Sequence, residues 1–190
     1  MAKAKIDAAS LPADFMDAAA FHGHICPGLA IGYRAAKAGL ATLKVERARD
    51  EELIAIVEND ACGVDAVQHL TGCTFGKGNL FFRDYGKQVF TFARRGDGRA
   101  VRVSWRAPTD ANPRRRKRDP ITRMLEILNA PRGELFRTSR VKLDLPPKAK
   151  IRQSAVCERC GEPAMVTRLR EVKGKMLCVS CSEKRMRKGP

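Results

Sequence analysis

Residues 52–72 read ELIAIVENDACGVDAVQHLTG, and this stretch decides what kind of core the chain builds. ELIAIVE is an apolar, β-branched run that reads as a strand. NDACG turns the chain, and GVDAVQHLTG opens a helix at about Gly63 or Val64. A strand feeding directly into a helix implies a core of mixed helices and strands. Side chains at such strand ends are where functional groups gather in folds of this kind, which singles out Asp60, Cys62 and Asp65, with His69 one to two turns further on.

Working outward, residues 12–20 predict a short helix with Pro12 in its first turn, and residues 27–43, PGLAIGYRAAKAGLATL, a longer one with Pro27 at its first position. Leu29, Tyr33, Ala36, Leu40 and Leu43 form its apolar stripe. Gly28, Gly32 and Ala36 recur every four residues, a small-residue line that lets another backbone or a ligand come close at a cost in helix propensity. Residues 73–80 form a glycine-punctuated loop, and 87–94 and 99–105 a β-hairpin closed by RGDG. A loop over 108–113 leads to the basic run RRRKR at 114–118, then a helix over 120–129 capped by Asp119, and a strand over 140–145. PPKAK is a linker by composition, and the remaining residues form a small separate module. Gly72, Lys77 and Gly78 are not a phosphate-binding loop: the spacing is one residue short, no Ser or Thr follows the lysine, and the segment follows a helix.

Composition narrows the classes. The 190 residues suffice for a proper core plus one small module, and no apolar run approaches a membrane span. MAKAKIDAASLPADF lacks the apolar stretch of a secretory signal, so a cytoplasmic protein is expected. Seven cysteines, an odd number outside disulfide-scaffold spacing, suit metal binding or thiol reactivity in a reducing compartment. Residues 1–90 carry 10 Lys+Arg against 11 Asp+Glu, whereas residues 91–190 carry 27 against 10. The net charge of +16 therefore belongs to the second half, where nucleic acid or an acidic protein is the expected partner.

Two groups of residues carry chemistry. Cys157-x2-Cys160 and Cys178-x2-Cys181 enclose 17 residues, the interval of a four-cysteine Zn2+ site. Each pair forms a tight knuckle aiming both sulfurs at one ion, and four thiolates close a tetrahedron that organises folding without catalysis. Residues 181–188, CSEKRMRK, read as a basic helix starting on that ion. The second group is FHGHICPG, residues 21–28, where His22, His24 and Cys26 alternate just before a helix N-terminus that stabilises a thiolate at Cys26.

The order FHGHICPGLAIGYRAA (21–36) and then ENDACGVDAVQHLTGCTFGKGNL (58–80) resembles the FmdE-like family, named for a component of formylmethanofuran dehydrogenase, over roughly residues 13–135. The resemblance implies an α+β fold with a mixed helix/sheet core (residues 1–147), in some members followed by a zinc-finger domain, and an intertwined homodimer. It further implies a pocket built around His22, His24, Cys26 and Cys62 that can hold a transition metal as a second cofactor. The tail CERCGEPAM…LCVSCSEKR resembles DksA/TraR-type treble-clef modules, placing a small zinc finger over 148–190. The family name comes from association with a molybdenum or tungsten enzyme that reduces CO2 to formylmethanofuran, which does not make this chain a catalyst.

The leading expectation is a metal-binding accessory or redox-linked protein, in which Asp60 or Asp65 orients a histidine ligand. Two other readings stay open. One is a regulatory protein whose core senses a metal or small molecule while the zinc module and basic half engage nucleic acid or a polymerase. The other is a thiol enzyme with Cys26 or Cys62 as nucleophile and a histidine such as His22 as base.

Overall fold

Five short strands, four of them built from apolar runs, pair into one sheet, and the helices that alternate with them in sequence cover one of its faces. The computed structural model describes residues 11–106 and 119–186. The RRRKR run and the loop expected over 108–113 lie outside them. The chain divides into two compact units between Lys148 and Ala149.

In the first unit the helices are α1 (Ala13–His22), α2 (Pro27–Leu43), α3 (Gly63–Thr71), α4 (Pro120–Asn129) and the single turn α5 (Arg132–Leu135). The strands are β1 (Leu53–Val57), β2 (Leu80–Phe82), β3 (Val89–Arg94), β4 (Ala100–Trp105) and β5 (Phe136–Val141), in sheet order β2-β1-β3-β4-β5. β1 runs parallel to β2, and the remaining pairs are antiparallel. Leu53, Ala55, Val57, Phe90, Phe92, Val101 and Val103 face the helices, where Phe15, Leu29, Val67 and Met124 close the core. Ile54, Ile56, Ala93 and Ala100 point to the opposite face. Both faces of β1 are thus covered, which is why LIAIV is a continuous apolar run rather than an alternating one.

That second face is covered partly by Leu143 and Leu145, and this corrects the expected strand over 140–145. The paired strand is Phe136–Val141. Val141, Leu143 and Leu145 do alternate like a strand. Beyond Val141 the chain leaves the ladder and lies over the sheet, because Pro146 and Pro147 offer no N–H for pairing. Their carbonyls instead accept from the Arg95 guanidinium, at 2.6 and 3.2 Å. β2, three residues long, begins where the sequence pattern predicts loop. A buried Asn79 side chain holds it in place, donating to the carbonyls of Asp50 and Leu53 (both 3.0 Å) and accepting the Thr74 N–H at 2.9 Å. Lys77 donates to the carbonyls of Arg49 and Asp50, so the GKGN segment braces a loop.

α4 begins where Asp119 accepts the Thr122 N–H at 3.0 Å with Pro120 following, as its sequence predicts. Its C-terminal carbonyls, which have no intrahelical partner, receive the Arg34 guanidinium of α2 at Ile127, Leu128 and Ala130.

The second unit holds two hairpins and a helix: β6 (Ser154–Val156) with β7 (Pro163–Met165), β8 (Leu169–Val172) with β9 (Lys175–Cys178), and α6 (Val179–Met186). Lys173 and Gly174 both have positive φ, 54° and 74°, which is the turn a two-residue hairpin with right-handed strand twist requires. Its buried apolar cluster is Cys157, Leu177 and Cys181, too small to fold a segment of about 40 residues without help.

Candidate metal centres

In the second unit one knuckle, Cys157–Cys160, lies in the turn between β6 and β7. The other spans the end of β9 (Cys178) and the first turn of α6 (Cys181). The four sulfurs lie within 4.8 Å of one another. Knuckle, hairpin and helix in that order are a treble clef. Hydrogen bonding favours thiolate at Cys157: the N–H groups of Cys178, Cys160 and Arg159 hold it down at about 6, the Cys178 N–H lying 3.2 Å from its sulfur. Desolvation and crowding by the neighbouring thiols push Cys160 and Cys181 up, a resistance to charge that a cation would offset. This site is a four-cysteine zinc finger whose donor set leaves no open position.

The first unit assembles its group from two helix starts. Cys26 caps α2, its Sγ accepting the Leu29 N–H at 3.3 Å, and Cys62 precedes α3. Glycine allows the two helices to approach this closely. A methyl group on Gly32 would stand 2.0 Å from the Gly63 carbonyl oxygen, and one on Gly28 3.2 Å from Cys62 Cβ and under 4 Å from both sulfurs. Two helix N-termini, with their unpaired N–H groups, therefore converge where the two thiols meet. Burial, the hydrogen bond and charge of Cys26, and the Asp65 carboxylate push the Cys62 thiol up, so the second negative charge is resisted unless a cation shares the site.

His22 closes α1, whose C-cap Gly23 sits at φ 94°, and His24 follows in the loop with its ring 4.4 Å from that of His22. One nitrogen from each histidine and the sulfurs of Cys26 and Cys62 all lie within 4.8 Å of one another. His22 Nδ1 meets Asp65 Oδ2 at 2.6 Å, while His22 Nε2 is buried with no hydrogen-bond partner among the described residues. With Nδ1–H donating to the carboxylate, Nε2 presents a bare lone pair. A buried lone pair in a group of soft donors fits a borderline transition metal and fits no neutral hydrogen-bond network.

The remaining sequence candidates are placed apart from this group. Asp60 is exposed at the end of the turn after β1, and among the described residues only Asp65 orients a histidine. His69 gives its carbonyl to Arg47 and lies beside Phe21. Cys73, the one cysteine outside both groups, is fully buried, its thiol pushed up to about 11 by desolvation. Beside the His22–Cys62 edge opens a pocket of about 440 Å³, lined among others by Asn59, Gln68, Phe75 and Phe82. Asn59, Gln68 and Phe75 lie inside the 58–80 stretch that carries the family resemblance, but nothing in their spacing marks them as pocket residues, and Phe82 lies outside it. The one signal they offer is two large aromatics left exposed, Phe75 at 76 % and Phe82 at 46 %.

Comparison with known proteins places this geometry. The family model described as FmdE, Molybdenum formylmethanofuran dehydrogenase operon, matches residues 21–137. The chain belongs to the FmdE family. A second model, the prokaryotic dksA/traR C4-type zinc finger, matches residues 150–186, so this FmdE chain ends in that finger. A probable S-adenosyl-L-methionine-binding protein of Archaeoglobus fulgidus is 32 % identical over 85 % of this chain and 50 % of that protein. The chain spans about half the length of that relative. A tungsten formylmethanofuran dehydrogenase FmdE-like protein of Syntrophus aciditrophicus, known from its crystal structure, shares the fold with a TM-score of 0.67. The two are 24 % identical, over 90 % of this chain and 91 % of the other.

Proposed function

We propose that this FmdE-family protein is a metal-binding accessory or redox-associated protein carrying two different centres. The four-cysteine finger holds a structural Zn2+. His22, His24, Cys26 and Cys62 hold a second, soft or borderline transition metal, which supplies Lewis-acid or ligand-exchange chemistry when bound. One observation carries the reading: the buried, unpartnered Nε2 of His22, fixed in its tautomer by Asp65. The homodimer and the cytoplasmic location expected from sequence are part of the same proposal.

Metal analysis of the purified full chain tests it. Wild type should carry about two equivalents per chain, and His22→Ala about one, held by the finger. Asp65→Asn should keep the finger metal while its core affinity falls by roughly 10–100-fold, the usual effect of removing the partner that orients a histidine ligand. One equivalent in wild type, with none after Cys157→Ser/Cys160→Ser, refutes the core centre.

The basic half supports a second reading, in which residues 91–190 engage nucleic acid, with 27 cationic against 10 acidic side chains behind it. Migration unchanged by any nucleic acid at low salt removes that reading.

A further inference from the structure

The four core donors are not held alike. His22 is anchored by Asp65. Cys26 is anchored by the α2 N–H it accepts, and Cys62 by the backbone contact of Gly32 with Gly63. His24 sits in the loop between α1 and α2, is exposed, and has no hydrogen-bond partner among the described residues. Its imidazole can therefore swing into solvent at the cost of one ring contact with His22, whereas displacing any of the other three breaks a part-buried hydrogen bond or a backbone contact.

Space for a replacement ligand lies on the anchored side. The pocket of about 440 Å³ is lined by His22 and Cys62, so a molecule seated in it reaches the donor group along that edge. The lining has a definite chemistry. Asp60 and Asp65 contribute carboxylates, and Val64, Phe75 and Phe82 contribute apolar surface. Among the described residues no lysine or arginine lines it, although the chain carries +16 overall. Two thiolates neutralise a divalent ion, and two carboxylates nearby then repel any anion.

We propose that His22, Cys26 and Cys62 are the permanent donors of the core centre and that His24 is an exchangeable fourth. The position it vacates takes an uncharged nitrogen- or sulfur-donor molecule whose flat apolar body rests on the pocket surface that Phe75 and Phe82 help to line. This rests on the core-centre reading above and adds to it that the centre is open, in contrast to the closed four-cysteine finger. Three protein donors plus one exchangeable position is the arrangement of metal sites that act on ligands.

The test uses the full chain with Co2+ in both sites, read by its visible absorption. The closed finger gives a background that added ligands do not change. Imidazole, benzimidazole and azide are the probes. In wild type, imidazole should shift the core bands and azide should not, and benzimidazole should act at lower concentration than imidazole. Whereas His22→Ala leaves only one histidine and that one unanchored, His24→Ala retains the three anchored donors His22, Cys26 and Cys62 and should keep about two equivalents of Co2+. Its response to imidazole should appear at a concentration at least about tenfold lower, since a tethered competitor has been removed. Phe82→Ala should abolish the advantage of benzimidazole while leaving imidazole unchanged.

Loss of the core equivalent in His24→Ala overturns the proposal, because all four donors would then be essential. Bands that ignore every probe, or that prefer azide, overturn it as well. If wild type itself binds only the finger equivalent, the core-centre reading fails instead, and the two failures are distinguished by the first metal count.

Discussion

Replacing Gly32 by alanine tests how the two thiols are brought together. The added methyl carbon would lie 2.0 Å from the Gly63 carbonyl oxygen, 2.4 Å from its Cα and 2.5 Å from its carbonyl carbon, against an ordinary contact of at least 3.4 Å. Every clashing atom is backbone, so no side chain can rotate away. α2 and α3 must separate by about 1.4 Å at this point, the shortfall against ordinary non-bonded contact. Alanine gains about 1 kcal/mol of helix propensity over glycine. Overpacking costs about 1–3 kcal/mol, and a rigid clash belongs at the upper end. The net loss is therefore about 2 kcal/mol, or roughly 4–8 °C in melting temperature for a chain of this size.

The same separation pulls Cys62 away from Cys26, so core metal affinity should fall with stability. Gly28→Ala should separate the two effects: its methyl group meets Cys62 Cβ at 3.2 Å and both sulfurs below 4 Å, disturbing the centre with little loss of stability. Gly133→Ala, with nothing within 4 Å, is the neutral control. Thermal unfolding followed by circular dichroism, together with competition against a chromophoric chelator, reads both quantities. If Gly32→Ala melts within about 1 °C of wild type and keeps core metal, the glycine contact does not position the thiols.

Two further outcomes follow from other parts of the molecule. Chelation should unfold the finger and leave the first unit intact, because among the described residues the finger buries only Cys157, Leu177 and Cys181 as apolar core; EDTA should then add proteolytic cuts within the finger that the metal-loaded protein resists. Burial pushes the Asp14 carboxyl up, but hydrogen bonds from Lys37 and Tyr33 and the Lys37 charge outweigh it and hold it below its usual range. A folded pKa below the unfolded one gives stability that is fully present above about pH 4 and is lost as pH falls through the folded value. Asp14→Asn should therefore lower the melting temperature near neutrality and flatten the acid limb of the profile, the two proteins converging as pH falls.

What the sequence made legible follows local chemistry. Cys157, Cys160, Cys178 and Cys181 could be read because a knuckle is defined by spacing alone. α2 and α4 could be read because Pro27, Asp119 and Pro120 mark their starts. β1 could be read because a strand covered on both faces leaves a continuous apolar run. β2 and β5 could not: one is held by a buried Asn79 whose partners are remote in sequence, and the other is an edge strand with Arg137 and Arg140 interrupting its apolar pattern. Leu143 and Leu145 misled because alternation records which side chains face an apolar surface, not whether the backbone is paired.

The core group shows the same division at the level of function. His22, His24 and Cys26 announce themselves by proximity in the chain, but nothing local says which nitrogen of His22 carries the proton. That is settled by Asp65, 43 positions later, one turn into the helix that Cys62 begins. The small residues that read as a cost to α2 are what bring that helix within reach: Gly32 meets Gly63 backbone to backbone, and the contact delivers Cys62 and Asp65 to the site together. α3 thus supplies both a candidate ligand and the residue that orients another. A change at the glycine pair should therefore perturb His22 through Asp65 as well as Cys62 directly. Asp65→Asn and Gly32→Ala, which share this route, should lose less core affinity together than the product of their separate losses. Independent, multiplicative losses in that double-mutant cycle would mean that the two helices position the thiol and the histidine separately.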